Sequence, residues 1–202
     1  RSRAYTFLIK HKFSENNIAI QVFTKFGPLA FLPLSNTQTS IVFSIKGKER
    51  NDKETFDLFK KYNFFYKLIN ISKVEKFNLT FEMLRNYNHN NILAFGDLIH
   101  RVHPLAGQGL NMTIRDIKML SKIIDRKKSL GLSIDNAVSK EFQQSSKHLN
   151  FLYGSAIDGI YEFFNLDNIF NNSISKPIFK FLNKSSTFKK YSKILSDEGL
   201  SL

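Results

Sequence analysis

The sequence contains no cysteine, and this absence excludes three kinds of chemistry at once. Disulfide bonds, zinc sites built from thiolates and cysteine nucleophiles all require a thiol group. Proline and glycine are also scarce, at 4 and 9 residues of 202, which leaves no room for a long flexible linker. No apolar run reaches the roughly 18 residues of a membrane span, and the first residues do not resemble a signal peptide. We therefore expect a folded, cytoplasmic protein with a sizeable core.

Acidic residues are in the minority, with 17 Asp and Glu against 30 Lys and Arg, a formal net charge of +13. Such an excess would suit nucleic acid or an anionic membrane surface. The basic residues are mostly lysines, and they are spread from Lys10 to Lys193 without a long block. We interpret the excess as a bias of composition, and a functional basic face remains the alternative.

Residues 3–46 alternate between apolar and polar side chains, which predicts antiparallel strands with a turn at Gly27-Pro28. The apolar positions that carry this pattern are Ile18, Ile20, Val22, Ile41, Phe43 and Ile45. Helical spacing then predicts a helix over residues 52–66 with Asp52 as its N-cap, and renewed alternation predicts a strand over residues 77–83. The first 88 residues therefore indicate an α+β domain.

Residues 92–95 form a short continuous apolar run, which predicts a strand buried on both faces. Gly96 ends the run, and from Gly109 to Ile124 the apolar residues fall on one helical face. The loop between such a strand and helix is where α/β folds bind ligands. The rest of the chain predicts helices over residues 138–152, 157–164, 174–182 and 188–195.

This loop and the start of its helix, residues 96–111, read GDLIHRVHPLAGQGLN. Gly107 and Gly109 would let the backbone come close to a flat ligand, and the first helical turn offers N–H donors and a positive dipole end. The pyrimidine edge of a flavin suits that position because it presents carbonyl oxygens and gains negative charge on reduction. Asp97 is placed to accept hydrogen bonds from the hydroxyls of a polyol.

The loop closely resembles the Gly-Asp-Ala-Ala-His and His-Pro-Leu-Ala-Gly-Gln-Gly-Leu-Asn motif of FAD-dependent monooxygenases of the p-hydroxybenzoate hydroxylase class. Within that class, the hydroxylases of ubiquinone biosynthesis are the most similar. Residues 26–34, FGPLAFLPL, resemble the family's Gly-Pro-Leu-Ala strand pair, and Arg115-Asp116 matches the Arg-Asp that follows the helix start. The resemblance is strong over residues 18–46 and 92–125 and weak beyond residue 126.

The resemblance implies a role for each part of the loop. Asp97 would contact the ribityl chain of FAD, and His103 and Pro104 would lie near the flavin edge where oxygen reacts, a positional part in catalysis. The implied cofactor-binding residues are Gly96, Asp97, Pro104, Leu105, Ala106, Gly107, Gln108, Gly109, Leu110 and Asn111. In the family a flavin hydroperoxide donates oxygen to an electron-rich ring, with NAD(P)H as reductant.

The chain departs from the family's pattern at two places. Leu98-Ile99 replaces the small Ala-Ala pair, and Arg101 stands where the family has a Thr-like residue. In addition, the Gly-x-Gly-x-x-Gly turn that binds the ADP moiety of FAD does not occur in residues 1–202, and neither does the family's second Asp-Gly motif. We therefore expect this chain to supply about half of a cofactor site and to need the N-terminal half of the enzyme.

The sequence thus predicts a combination of α/β and α+β structure, the C-terminal part of a p-hydroxybenzoate hydroxylase-like FAD-binding fold. We assign residues 1–88 to part of the substrate domain, with its antiparallel sheet. Residues 89–125 would be the last strand, loop and helix of the FAD domain, and residues 126–202 a helical tail.

The predicted function is FAD-dependent hydroxylation of a polyprenylated aromatic ubiquinone precursor. Two alternatives stay open: a non-catalytic binding or assembly subunit among ubiquinone-biosynthesis proteins, and a basic nucleic-acid-binding protein, for which no motif is present. Between Phe163 and Phe188 the aromatic residues are interleaved with lysines, so the tail could also rest on a membrane surface.

The five histidines do not indicate a metal site. His100, His103 and Asp97 are of the right types for a facial iron site, but they lie in one loop and no further His or Glu nearby completes the set. We interpret His11, His89 and His148 as surface residues.

Overall fold

The computed structural model describes residues 2–104 and 107–169, with side chains described as far as residue 163. The described chain divides into two compact units, residues 2–80 with 164–169 and residues 81–163. The three-part division into residues 1–88, 89–125 and 126–202 stays a prediction.

The first unit is built on a six-stranded antiparallel sheet with the strand order β2-β3-β4-β1-β5, in which β6 also pairs with β1. The strands are β1 (Ser2–His11), β2 (Ile20–Thr24), β3 (Gly27–Ser35), β4 (Gln38–Lys46), β5 (Leu68–Ile71) and β6 (Glu75–Leu79). The predicted antiparallel strands of residues 3–46 are therefore confirmed. Ile18 is the exception, since it precedes β2 and its side chain is exposed.

Alternate residues of β1, β3 and β4 form the core of this unit, because successive side chains of a strand point to opposite faces. Helix α1 (Asp52–Tyr62) packs Phe59 against this core, with its ring centroid 5.1 Å from that of Phe7. The predicted N-cap Asp52 is wrong by one residue. Asn51 caps the helix in a reciprocal capping box with Glu54, since its side chain accepts from the Glu54 N–H while Glu54 accepts from the Asn51 N–H.

His11 is fully buried, so its interpretation as a surface residue is wrong. Its Nε2 lies 3.0 Å from Thr39 Oγ1, and its ring packs on Tyr66 with 4.3 Å between centroids. Each ring nitrogen has a hydrogen-bond partner, because Nδ1 lies 2.8 Å from the Lys12 carbonyl oxygen. Burying this polar side chain therefore costs little free energy. His89 and His148 are exposed, as predicted.

The second unit contains two short antiparallel pairs and two long helices. Strand β7 (Glu82–Met83) pairs with β10 (His100–Arg101), and β8 (Asn88–His89) pairs with β9 (Ile92–Leu93). A 3₁₀ turn spans Gly96–Leu98, and the helices are α2 (Gln108–Ser129) and α3 (Asn136–Ile169). The predicted strand of residues 77–83 is therefore split between β6 of the first unit and β7 of the second.

The predicted buried strand of residues 92–95 is wrong. Only Ile92 and Leu93 are extended and paired, as the second half of a small hairpin, and Ile92 is 71% exposed. Leu93, Ala94 and Phe95 are half-buried against the cluster around Phe142. A strand is buried on both faces only where neighbouring strands pair with it and helices cover it, and the described residues provide a two-residue partner.

The predicted helix from Gly109 to Ile124 is confirmed by α2. The predicted helices over residues 138–152 and 157–164 are one continuous helix, the 34-residue α3. Those over residues 174–182 and 188–195 lie outside the described residues. Of the helices that are described, none is long and apolar enough to cross a membrane.

Candidate functional site

The 3₁₀ turn lies alongside the first turns of α2. Gly96 has a φ of +61°, a left-handed conformation that favours glycine, and a Cβ at this position would be 3.7 Å from Thr113 Cγ2. Asp97 is exposed within this turn. The strand before it is not buried, so the prediction that Asp97 follows a buried strand is wrong. Its carboxylate is nevertheless exposed and can reach a ligand.

Gly107 is the N-cap of helix α2 and adopts a left-handed conformation with φ 70° and ψ 18°. No side chain caps this helix start and its first turn contains no acidic residue, so the positive dipole end suits an anionic or carbonyl-bearing ligand. Within this turn the Leu110 N–H donates to the Gly107 carbonyl oxygen at 3.2 Å. A Cβ added at Gly107 would meet nothing within 4 Å. Leu110 is exposed and Asn111 half-buried, while Leu105 and Ala106 lie outside the described residues.

A buried polar network lies beneath the loop. His100 Nε2 is 2.8 Å from Asp116 Oδ2, and both side chains are 0% exposed. Asn150 of α3 is the centre of the network: its amide donates to Asp116 Oδ2 at 3.2 Å and to the Tyr87 hydroxyl at 3.3 Å, and its carbonyl oxygen accepts from Arg115 Nη2. Arg115 Nη2 also lies 3.6 Å from Asp116 Oδ1. The network therefore joins the loop, α2 and α3.

Two tyrosines near this network keep their protons to higher pH than usual. Burial raises the pKa of Tyr87, and the nearby Asp116 carboxylate raises it further, against a lowering by the Asn150 hydrogen bond and by Arg115. Burial also raises the pKa of Tyr153, against a lowering by Arg115. Both hydroxyls are therefore neutral hydrogen-bonding groups at physiological pH.

His103 is held by α3. Its ring stacks on Tyr161 with 3.9 Å between centroids and an interplanar angle of 14°, and its Nε2 lies 3.3 Å from Asp158 Oδ1. The His103 side chain is nearly buried, and Pro104, the next residue, is half-buried. Because these contacts restrain the His103 ring, they also restrain the backbone of the adjacent Pro104.

The sequence did not reveal the α3 residues of this site. Asn150, Tyr153, Asp158 and Tyr161 belong to no motif, and polar residues on a helix are usually solvent-exposed. Only their spacing, which places them on one helical face, could have indicated a shared role. Within the part of the chain that the structure describes, no group of three His, Cys, Asp or Glu side chains could hold a metal ion.

Comparison with known proteins gives both a family and a fold. Residues 21–126, more than half of the chain, match the FAD binding domain family. The mitochondrial ubiquinone biosynthesis monooxygenase COQ6 of Dictyostelium discoideum is 32% identical over 120 residues, covering 59% of this chain and 24% of that protein. The ubiquinone hydroxylase UbiL of Rhodospirillum rubrum is 26% identical over 177 residues, covering 81% of this chain and 40% of that protein. The chain thus spans less than half the length of these curated relatives.

Solved structures show the same fold at low sequence identity. HpxO of Klebsiella pneumoniae, complexed with FAD and uric acid, superposes with a TM-score of 0.68 at 11% identity, over 98% of this chain and 52% of that one. The p-nitrophenol 4-monooxygenase PnpA of Pseudomonas putida gives a TM-score of 0.65 at 13% identity, over 100% and 53%. This likeness confirms the predicted fold class. Together with the family match, it means that the chain belongs to the FAD binding domain family, as its Gly-Asp and Gly-Gln-Gly-Leu-Asn motifs predict.

Proposed function

We propose that this chain is part of an FAD-dependent monooxygenase that hydroxylates the aromatic ring of a ubiquinone precursor, using O2 and NAD(P)H. The observation that carries the proposal is the open, glycine-initiated start of α2 in a chain of the FAD binding domain family. The names of the curated relatives support the substrate class, since they are ubiquinone biosynthesis monooxygenases and hydroxylases.

The geometry of the α2 start fits a flavin ring. Gly107 has no atom within 4 Å of the place where a Cβ would lie, so a planar ligand could approach its backbone closely. The uncapped first turn offers N–H donors to the carbonyl oxygens of the pyrimidine edge. Bound there, FAD would supply the activation of O2 that no side chain can provide.

The residues of the loop then have distinct tasks. The exposed Asp97 carboxylate would accept hydrogen bonds from ribityl hydroxyls, and residues 107–111 would contact the ring through their backbone. Pro104, placed by the anchored His103, would border the reacting edge of the ring and exclude water from it. The sheet of residues 2–80 would belong to the substrate-binding part.

The partners in this proposal follow from the same class of substrate. A polyprenylated precursor is found in membranes, and the net charge of +13 would support peripheral contact of an otherwise cytoplasmic protein with an anionic surface. The remaining half of the FAD site would come from an N-terminal half of the same enzyme, and other ubiquinone-biosynthesis proteins are further candidate partners.

The full-length protein tests the proposal directly. It is expected to bind one FAD and to oxidise NAD(P)H faster when a ubiquinone precursor is supplied, with a product heavier by one oxygen atom in mass spectrometry. With ¹⁸O2, that atom should be labelled. Stable association with ubiquinone-biosynthesis proteins without flavin would favour the assembly subunit instead, and steeply salt-dependent RNA or DNA affinity would favour nucleic-acid binding.

Replacing Asp97 with alanine in the full-length protein is expected to weaken FAD binding by roughly ten- to hundredfold, because a charge-assisted hydrogen bond contributes about 1.5 to 3 kcal/mol. The melting temperature of the flavin-free protein should not change, since Asp97 is exposed. Asp125→Ala, at an exposed carboxylate further along α2, is the matched control. Equal flavin occupancy of Asp97→Ala and parent after gel filtration would refute the assignment of Asp97.

The 202-residue chain by itself is expected to retain no stoichiometric flavin. Residues 1–202 contain no Gly-x-Gly-x-x-Gly turn to bind the ADP moiety, so much of the binding free energy is missing. Absorbance in the flavin bands of the purified chain, measured after desalting in the presence of added FAD, checks this. A one-to-one yellow complex that melts cooperatively would show that these residues are a self-sufficient flavin-binding unit.

A further inference from the structure

One face of α3 contacts the loop at several points. We call Asn150, Tyr153, Asp158 and Tyr161 the polar stripe; they are spaced i, i+3, i+8 and i+11, which places them on the same side of the helix. Each member contacts a residue between His100 and Asp116, all within the second unit.

The contact at the helix start is made by Tyr153. Its hydroxyl donates to Gln108 Oε1 at 2.6 Å, and Gln108 is the first residue of α2. The Tyr153 ring in turn lies beneath the Arg115 guanidinium, 5.4 Å from the ring centroid. The Gln108 side-chain carbonyl oxygen is thereby held at α3.

The contact at the other end of the loop is made by Asp158 and Tyr161. The Asp158 carboxylate lies 3.3 Å from His103 Nε2, and the Tyr161 ring stacks on the His103 ring. Asn150 links the two ends of the loop through hydrogen bonds. It is hydrogen-bonded to Arg115 and Asp116 of α2, and Asp116 in turn is hydrogen-bonded to His100. Asn150 is fully buried, and it also donates to the Tyr87 hydroxyl, so that both its N–H groups and its carbonyl oxygen are used. Neither aspartate nor leucine at position 150 could reproduce them, since aspartate lacks the two donors and leucine lacks every polar atom.

We propose that the polar stripe of α3 holds His103 and the first turn of α2 in the geometry that binds a ligand, so that Tyr153 and Asp158 are positioning residues for the flavin ring. The inference rests on the proposed function and extends it to a helix that carries no flavin motif. A loop fixed before its ligand arrives loses little conformational entropy on binding, and its N–H groups are already aligned with the ring.

The test uses Tyr153→Phe in the full-length protein, because this change removes one hydroxyl and keeps the ring. Amide hydrogen exchange at residues 107–111 of the flavin-free protein is expected to become several-fold faster, while the melting temperature falls by no more than a few degrees, the effect of one neutral hydrogen bond. The FAD dissociation constant is expected to rise about three- to tenfold, the effect of one neutral hydrogen bond. Tyr62→Phe makes the same chemical change in α1 of the first unit and should alter neither the exchange nor the affinity.

The reduction potential of the bound flavin distinguishes positioning from general support of the fold. Flavin gains negative charge on reduction, so N–H groups moved away from the ring stabilise the reduced form less, and the potential should fall in Tyr153→Phe. Reduced occupancy alone would leave the potential of the remaining bound flavin unchanged. Asp158→Asn, which removes the charge opposite His103, should accelerate exchange at Val102 and His103 instead.

A double-mutant cycle with Gln108→Met completes the test. If Tyr153 acts through Gln108, the effects of Tyr153→Phe and Gln108→Met on exchange at residues 107–111 will not add. Parent-like exchange in Tyr153→Phe would overturn the proposal, and so would faster exchange with unchanged FAD affinity and potential. If the full-length parent binds no FAD, the proposed function fails, and the exchange data alone decide whether the polar stripe holds the loop.

Discussion

Replacing Gly27 with alanine is expected to destabilise residues 2–80 by about 3 to 5 kcal/mol, the upper range for a single substitution. Gly27 opens β3 with a φ of +135°, which L side chains rarely adopt. A Cβ there would lie 2.2 Å from the carbonyl oxygen of Ser44 in β4, far inside van der Waals contact. The obstacle is backbone in a buried part of the sheet, so it cannot move aside without disturbing the pairing of β3 with β4.

Gly47→Ala is the matched control for this prediction. Gly47 also has a positive φ, +109°, but a Cβ there would meet nothing within 4 Å. Its replacement should therefore show only the backbone strain, about 1 to 3 kcal/mol. Hydrogen exchange of residues 2–80 under increasing urea reports both changes. If the two variants lost equal stability, the steric clash with Ser44 would make no contribution.

Replacing Asp116 with alanine is the other change with a large expected effect, a loss of about 3 to 5 kcal/mol of stability from the second unit. The Asp116 side chain is 0% exposed and accepts hydrogen bonds from His100 Nε2 at 2.8 Å and from Asn150 Nδ2 at 3.2 Å. It is also the carboxylate nearest to the buried Arg115 guanidinium in the network. Alanine would leave a buried cation without its counter-ion and two donors without an acceptor.

The exposed Asp125 on the same helix provides the control, and Asp125→Ala should cost less than about 0.5 kcal/mol. Chemical denaturation of the full-length protein, with hydrogen exchange to assign the loss to residues 81–163, is the measurement. If Asp116→Ala left the free energy of unfolding almost unchanged, water would have to reach Arg115 and His100 and replace the carboxylate. The network would then not exclude water. Asn150→Leu should then be equally mild.

Local sequence patterns were sufficient to predict the antiparallel strands of residues 3–46 and helix α2. Strand alternation and helical spacing record which face of an element is buried, and this information lies within a window of about 11 to 18 residues. A ligand-binding loop over residues 96–111 was also predicted from local motifs, with Gly107 and Gly109 expected to let the backbone come close to a ligand. In the structure Gly107 has the left-handed backbone that favours glycine, whereas Gly109 lies within α2 with ordinary backbone. The family match over residues 21–126 agrees with what those motifs predict.

The patterns were insufficient where burial depends on partners distant in sequence. Residues 92–95 have the composition of a buried strand, but burial on both faces requires neighbours that the described residues do not supply, so Ile92 is exposed. His11 was predicted to lie at the surface, but it is buried. Thr39 of another strand is hydrogen-bonded to its ring, and the ring of Tyr66, which follows α1, packs on it.

The sequence by itself therefore determined the family, the motif of residues 96–111 and the type of most regular elements, since each is encoded by residues close together in the chain. Only the tertiary structure decided that α3 contacts this segment. Asn150 contacts Asp116 across 34 positions, and Tyr153 contacts Gln108 across 45. Their spacing places them on one helical face, but it does not tell whether that face is buried or solvent-exposed. Their role depends on how two helices pack, and packing is a property of surfaces assembled from the whole unit.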